Sequence, residues 1–206
     1  MGYCDLSKTS ELDLKYHDNE WGVPLHDDRK QFEFLMMEVM QCGLNWNLIL
    51  SKREVLRTCF DEFNYEKVAL YTDKDVARIK NTPGMIRSEP KIRAVINNAN
   101  QFIKIINEFG SFDRYIWDFA GGKTILYDTH ADGYIPASNG LSEDLSKDLK
   151  KRGFKFVGPV TIYSHLQACG IINDHSKDCP CYAAINSKYP TIRKPKVLEK
   201  NIRFYK

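Results

Sequence analysis

The sequence predicts an all-α domain with a loop-rich N-terminal segment. Apolar residues recur at helical spacings of three and four along most of the 206 residues. Capping and stop residues separate these stripes at regular intervals. The alternation of apolar and polar residues that marks a half-buried strand does not recur. These observations favour helices packed against helices.

The predicted helices of the first half follow one another after short breaks. The first long helix is marked by an apolar stripe formed by Phe32, Leu35, Met36, Val39 and Met40. A second helix follows the break at Gly43-Leu44. Asn64 can cap a short third helix, and Thr72 followed by Asp75 resembles the capping box of a fourth.

The clearest stripe lies in the middle of the chain and is formed by Ile92, Val95, Ile96, Ala99, Phe102, Ile103 and Ile106. Gly110 stops this helix, and Ser111 starts a short one. Residues 123–140 show no period and are predicted to be a long surface connection. Two further helices follow, one closed by Gly153 and one beginning at Pro159.

Composition and charge exclude several classes of protein. Hydrophobic residues make up 43% and charged residues 28%, and no apolar run approaches the length of a membrane span. No secretory signal is visible, so we expect a cytoplasmic protein without a membrane segment. The net charge is +3, but residues 183–206 hold seven basic residues and one acidic residue. We therefore predict a domain over 1–182, with a net charge of −3, and a basic, flexible tail over 183–206.

Cysteine and histidine residues near the two ends suggest a metal site. Because no export signal is present, reduced thiols or metal ligands are favoured over disulfides for the six cysteines. Cys4 and His17 lie near the start, and His175 and Cys179 lie one helical turn apart near the end. Such a set closes a tetrahedral zinc site when the two pairs meet. Cys181 is a rival ligand, and a buried thiol with solvent-facing histidines is the alternative.

Two stretches have the pattern of contacts to a nucleic-acid backbone. The turn over 81–87 contains Gly84, where backbone N–H groups can face outward and bind phosphate, with Arg87 and Lys91 close by. The stretch KDLKKRGFKF over 147–156 alternates basic and aromatic residues. A plain corner between two helices and a solvated helix end are the respective alternatives.

Glu38 is an acidic residue within the apolar sequence of the first long helix. Burying a carboxylate there is unfavourable unless it is paired. On a helix, Glu38 shares a face with Phe34 and Gln41, and Trp46 follows shortly after. A carboxylate beside aromatic rings suits a flat cationic ligand. The alternative is that Glu38 and Gln41 simply face water.

Several stretches together resemble the 3-methyladenine DNA glycosylase I family. They are YHDNEWGVP at 16–24, CGLNW at 42–46, KIRAVINNA at 91–99, LSKDLKKRGFKFVGP at 145–159 and QACGIINDH at 167–175. The match runs from Cys4 to about Cys181. The resemblance implies an all-helical helix–hairpin–helix fold with one structural zinc ion per chain. It also implies a cytoplasmic bacterial monomer that hydrolyses the N-glycosidic bond of 3-methyladenine in alkylated double-stranded DNA.

The resemblance assigns roles to individual residues. The implied zinc ligands are Cys4, His17, His175 and Cys179. The implied catalytic residue is Glu38, and the implied base-binding residues are Tyr16, Trp21, Gln41 and Trp46. The implied DNA-binding residues are Gly43, Leu44, Gly84, Arg87, Lys91, Lys151 and Ser164. Because a methylated adenine is cationic and leaves readily, we expect Glu38 to act first through recognition and electrostatics.

The sequence departs from the family pattern at a few positions. Leu6 and Asp13 replace common aromatic residues, Asn45 replaces a frequent serine and is followed closely by Asn47, and Glu89 places an acid in the hairpin. These changes leave two alternatives open. One is a non-catalytic or altered-specificity protein on the same scaffold that binds damaged DNA. The other is a zinc-containing helical interaction protein that uses its basic tail.

Overall fold

The computed structural model describes residues 4, 10–128 and 135–194. Within these residues the helices are α1 (Glu11–Asn19), α2 (Asp28–Gln41), α3 (Trp46–Ser51), α4 (Arg53–Cys59), α5 (Tyr65–Val68), α6 (Asp73–Asn81), α7 (Glu89–Phe109), α8 (Phe112–Asp118), α9 (Gly140–Lys151), α10 (Pro159–Ala168) and α11 (Pro180–Lys188). A 3-10 turn spans Asp61–Phe63, and the strands are β1 (Thr124–Tyr127) and β2 (Thr191–Lys194). No helix in these ranges is both long enough and apolar enough to cross a bilayer.

Helix α2 is the centre of the fold. Asp27 caps its first turn by accepting a hydrogen bond from the Lys30 backbone N–H at 2.8 Å. Every residue from 31 to 40 is buried, because α3, α7, α8 and α10 all pack against this helix. A helix buried on all sides has no solvent-facing stripe, so its polar residues lie inside the protein.

The predicted helix boundaries of the middle region are confirmed. The Thr72–Asp75 capping box begins α6, and Gly110, in the left-handed region at φ 89°, ends α7. Ser111 caps α8, as predicted. Between α6 and α7 the buried side chain of Met85 holds the turn against the body.

The structure corrects the predicted all-α class, because two short strands form a parallel pair. The register runs from Thr124 opposite Thr191 to Tyr127 opposite Lys194. The region 123–140 is therefore not a surface connection throughout, since all residues of β1 are buried. A strand buried on both faces reads as a short apolar run without alternation, which explains the missed period.

Both ends of the described chain are more ordered in structure than predicted. Helix α1 lies in the segment predicted to be loop-rich, and Ser10 caps it by accepting from the Asp13 N–H at 3.1 Å. Helix α11 crosses the predicted boundary at 182, and β2 follows it, so residues 183–194 belong to the fold. Residues 195–206 of the predicted tail lie outside the described residues.

Candidate functional site

Four side chains from the two ends of the chain converge on one point. The ligand atoms of Cys4, His17, His175 and Cys179 all lie within 4.8 Å of one another. Cys179 Sγ is 3.5 Å from His175 Nδ1 and 3.8 Å from His17 Nε2, and Cys4 Sγ is 3.7 Å from His175 Nδ1. In a tetrahedral zinc site, neighbouring sulfur and nitrogen ligands lie about 3.5 Å apart. The donor set and its spacing therefore fit a single tetrahedral ion.

Each histidine of this cluster is oriented by a second partner. His175 Nε2 lies 3.0 Å from the carbonyl oxygen of Trp21, and His17 Nδ1 lies 2.8 Å from Asp18 Oδ1. When these nitrogens donate, the opposite ring nitrogen presents its lone pair to the cluster. Such outer hydrogen bonds are the usual support of metal-binding histidines.

The structure separates the rival ligand Cys181 from the four-residue cluster. Cys181 groups instead with His17 and Asp18. The alternative of solvent-facing histidines is wrong, because His17 and His175 are both buried. The first and last helical segments of the domain thus meet at four potential metal ligands.

Glu38 is buried in the middle of α2. Only 5% of the residue is exposed, and no described residue pairs with or hydrogen-bonds its carboxylate. Burial raises the pKa of Glu38 from 4.5 to about 8, because the charged form loses its hydration. The alternative that Glu38 faces water is therefore wrong.

Aromatic rings lie along the same face of α2. Phe34 is one helical turn from Glu38. The centroid of the Tyr16 ring lies 6.3 Å from that of the Phe34 ring. Tyr16 also lies 5.3 Å from Trp46, whose buried indole N–H has no acceptor among the described residues. The structure thus brings Tyr16 and Trp46 together beside the face that carries Glu38.

Trp21 packs against the two histidines of the cluster formed by Cys4, His17, His175 and Cys179. Its ring stacks on His17 at 5.8 Å and meets His175 edge-on at 4.5 Å. Gln41, predicted to bind the base, is half-buried, and its side-chain amide donates to the Leu44 carbonyl at 2.7 Å. This contact holds the turn that follows α2.

Two exposed turns carry glycines in the left-handed region. Gly43, at φ 76°, lies in the turn after α2, and Gly84, at φ 81°, lies between α6 and α7. Leu44 is half-buried beside Gly43. Arg87 follows Gly84 and is exposed, without an ion pair in the described part of the chain. The hairpin and the Leu44 turn both present backbone or side chains to solvent.

The prediction that Lys91 contacts DNA is corrected by its position. Its side chain is buried, and Nζ donates to the carbonyls of Met40 at 2.8 Å and Cys42 at 2.6 Å. Carbonyl groups at the C-terminal end of a helix accept no hydrogen bond from the helix itself, so those of Met40 and Cys42 can accept from Lys91. Lys91 therefore closes the end of α2 and positions the Gly43 turn. Burial lowers its pKa.

The remaining predicted DNA contacts differ in exposure. Lys151 is exposed at the end of α9, whereas Ser164 is partly buried and donates to the Val160 carbonyl at 3.2 Å. The acid of the hairpin is balanced, because Glu89 pairs with Lys80 and Arg93, each at 3.0 Å. Lys80 and Arg93 hold the pKa of Glu89 below its usual value.

Three of the departures from the family pattern, Asp13, Asn45 and Asn47, form one connected network. Asn47 donates from its amide to Ser10 Oγ and to Asp13, which joins α1 to α3. Asn45 caps α3 by accepting from the Asn47 N–H at 2.8 Å. Asp13 and Asn47 thus support each other. Leu6 lies outside the described residues.

Sequence reasoning missed two groups of buried polar side chains. Arg53 donates to Glu33 at 2.7 Å and, through both terminal nitrogens, to Glu20 at 2.7 Å. This ion pair anchors the turn after α1 to α2 and α4. His165 on α10 is fully buried, with no partner for either ring nitrogen among the described residues. Its position on an apolar stripe indicated burial, but nothing indicated an unpaired ring.

Comparisons with known proteins agree with one another. Residues 6–182 match the family model described as methyladenine glycosylase. The chain is 42% identical over 182 residues to DNA-3-methyladenine glycosylase 1 of Escherichia coli (strain K12), covering 88% of this chain and 97% of the relative. It is 38% identical over 178 residues to the DNA-3-methyladenine glycosylase of Haemophilus influenzae (strain ATCC 51907 / DSM 11121 / KW20 / Rd), covering 86% and 96%.

A solved structure shows the same fold. The chain superposes with a TM-score of 0.81 on 3-methyladenine DNA glycosylase I from Staphylococcus aureus, a structure that concerns 3-methyladenine recognition. The two sequences are 37% identical, and the match covers 86% of this chain and 94% of the other. The mostly helical architecture is therefore shared along nearly the whole domain.

Proposed function

The chain belongs to the methyladenine glycosylase family, and from this premise we propose that it is a DNA base-excision repair glycosylase. It hydrolyses the N-glycosidic bond of 3-methyladenine in alkylated double-stranded DNA. The observation that carries the proposal is the buried carboxyl of Glu38, which has no partner among the described residues and lies on a face bordered by Tyr16 and Trp46. The reaction is inferred from the family relationship, and the way in which the base is recognised is inferred from the residues of the site.

The substrate explains why an unpaired acid lies there. A base in a duplex must be extruded to reach a buried pocket, and damage lowers the energy needed. Methylation at N3 makes adenine cationic. A cation beside Glu38 favours the ionised carboxylate and offsets the burial that raises its pKa. Tyr16 and Trp46 offer ring faces that attract a flat cation.

Little further chemistry is required of the protein. The cationic base is a good leaving group, so position and exclusion of solvent help the bond to break. Water then attacks the sugar. Glu38 is assigned first to recognition of the cationic base and to electrostatic stabilisation, and only second to the role of general base.

The cluster of Cys4, His17, His175 and Cys179 holds one structural zinc ion per chain in this proposal. Support comes from the two thiols and two ring nitrogens, their spacing, and the orienting contacts from Trp21 and Asp18. Zinc in such a site contributes to folding. It ties the N-terminal segment to the segment after α10 and takes no part in the reaction.

DNA lies across the exposed turns in this proposal. The α6–α7 hairpin, with Gly84 and Arg87, holds the phosphate backbone, as in helix–hairpin–helix proteins. Leu44 fills the space that the extruded nucleotide leaves, and Lys151 and Ser164 lie on the same binding surface. The monomeric state and the cytoplasmic location stay predictions.

The test measures release of 3-methyladenine from methylated duplex DNA by wild type and Glu38→Gln. We expect release by wild type and a loss of about 10- to 100-fold in the variant, since a hydrogen bond to a charged group is worth ~1.5–3 kcal/mol. Equal release by both proteins would remove Glu38 from the mechanism. No release by wild type, combined with tight binding to an abasic-site analogue, would instead favour a non-catalytic lesion-binding protein.

A further inference from the structure

Phe156 has an unusual backbone for an aromatic residue. Its φ is 58°, in the left-handed region that residues with a Cβ avoid. The side chain is 43% exposed, whereas Phe154, two residues earlier, is 3% exposed and packs in the core. The chain thus holds a large apolar ring in solvent, in a conformation that glycine would adopt more easily.

Buried side chains fix the backbone on both sides of Phe156. Asn98, fully buried on α7, donates to the Lys155 carbonyl at 3.0 Å and accepts from the Lys155 N–H at 2.8 Å. Ser146 donates to the Val157 carbonyl at 2.7 Å. Strained residues persist when their surroundings determine the conformation in this way, and they cluster at functional sites.

Phe156 lies beside the turn that carries Leu44. Its carbonyl oxygen is 3.8 Å from Cys42 Sγ, and Cys42 directly precedes Gly43. Cys42 Sγ is also 3.5 Å from Thr161 Oγ1 on α10. The segment around Phe156 and the Leu44 turn therefore form neighbouring parts of one surface.

The charge around Phe156 suits a polyanion. Lys150, Lys151 and Lys155 are all exposed, and none forms an ion pair with a carboxylate in the described ranges. By contrast, the neighbouring Lys147 and Arg152 are paired with acids on the same helix. Unpaired lysines beside an exposed aromatic ring are the arrangement expected where a nucleic-acid backbone passes next to accessible bases.

We propose that Phe156 is a second apolar residue, beside Leu44, that stacks on a base face exposed when the damaged nucleotide is extruded. Apolar side chains commonly insert at base steps that a protein has opened, and ring stacking stabilises the unstacked base. The inference rests on the proposed function, since extrusion is what exposes the base face. The partner is a duplex at the lesion, and Phe156 contributes nothing to intact DNA.

The test compares Phe156→Gly with wild type on two duplexes of the same sequence, one intact and one with an abasic-site analogue. We expect affinity for the abasic duplex to fall about tenfold, as for loss of one stacked base, and affinity for the intact duplex to stay unchanged. Phe156→Trp should keep the preference for the abasic duplex. Because glycine tolerates the left-handed backbone, Phe156→Gly should also have a Tm no lower than that of Phe156→Ala.

Lys151→Ala is the matched control for charge. On both duplexes it should lower the slope of log Kd against log salt concentration by about 1, the contribution of one phosphate contact. Phe156→Gly should leave that slope unchanged. Wild-type affinity of Phe156→Gly for the abasic duplex, or an equal loss on both duplexes, would overturn the proposal. Release of 3-methyladenine is measured separately, so a failed activity with retained Phe156-dependent binding would defeat the proposed reaction alone.

Discussion

The metal-ligand cluster and the centre of α2 are both buried and polar, but they differ in how their polar atoms are satisfied. Both histidines of the cluster have a second hydrogen-bond partner, Trp21 or Asp18. At α2, Glu38 has no partner among the described residues, and neither has the Trp46 indole N–H. Buried polar atoms in folded proteins are normally paired. The paired cluster therefore has the character of a structural site, whereas the region around Glu38 has polar atoms that can still bind a ligand.

This contrast also locates the energetic strain of the fold. A satisfied buried network stabilises the fold, whereas an unpaired buried acid lowers the stability of the free protein. Protonation of Glu38 relieves the cost of burying its charge, and in the proposed function a bound cation relieves it as well. Mutations in the two regions should therefore change stability in opposite directions.

The largest expected effect comes from breaking the paired region. His175→Ala removes one of the four potential ligands together with its contact to Trp21, so it should lower metal content from the proposed one zinc per chain and lower the Tm in the same preparation. Elemental analysis and thermal unfolding measure the two quantities. Because structural zinc contributes on the order of 10 kcal/mol in small zinc domains, partial unfolding is the expected result.

Cys181→Ala is the matched control for this experiment. Cys181 is a cysteine close to the cluster but outside the four-ligand set, so its loss should leave the zinc content unchanged. Freshly purified wild-type protein without metal, or full metal content in His175→Ala, would contradict the assignment.

Glu38→Gln should have the opposite effect on the free protein. Burial raises the folded-state pKa to about 8 from 4.5, so between these values the folded state binds a proton that the unfolded state has lost. Wild-type stability therefore falls as the pH rises from about 4.5 to 8. Glutamine does not titrate, so at pH 8 the variant should be more stable than wild type by up to roughly 4 kcal/mol, at ~1.36 kcal/mol per pKa unit. Urea unfolding at pH 5 and pH 8 measures the difference, and parallel pH profiles for the two proteins would refute it.

Much of the scaffold was predictable from sequence because its signals are local. The stripe of α7, the stop at Gly110 and the Thr72–Asp75 capping box each depend on residues within a few positions. Helix α1 escaped prediction because only Tyr16 and His17 are buried, which leaves no apolar stripe. Strand β1 escaped because its partner, β2, lies more than sixty residues away along the chain.

The site was only partly predictable, for reasons that lie in tertiary packing. The burial of Glu38 follows from four helices around α2, which periodicity does not reveal. Lys91 was misassigned because its flexible stem reaches the end of α2, while its position in sequence suggested the DNA surface. The resemblance named four residues that the structure brings together as potential metal ligands, whereas their spacing alone left Cys181 as a rival.

His165 sharpens the comparison with a smaller effect. It resembles Glu38 in being fully buried without a partner in the described part of the chain, but it is a base, so burial lowers its pKa from 6.5 to about 3. Between these values the unfolded state binds a proton that the folded state does not, so wild-type stability falls as the pH drops below about 6.5.

His165→Phe removes this proton uptake. The free energy of unfolding of the variant minus that of wild type should be about 2 kcal/mol larger at pH 5 than at pH 7.5. The value at pH 7.5 reports the change in packing alone, and the other titrating groups are common to both proteins. Equal differences at the two pH values would show that His165 is protonated or paired in the folded state, and it would then not share the unpaired state of Glu38.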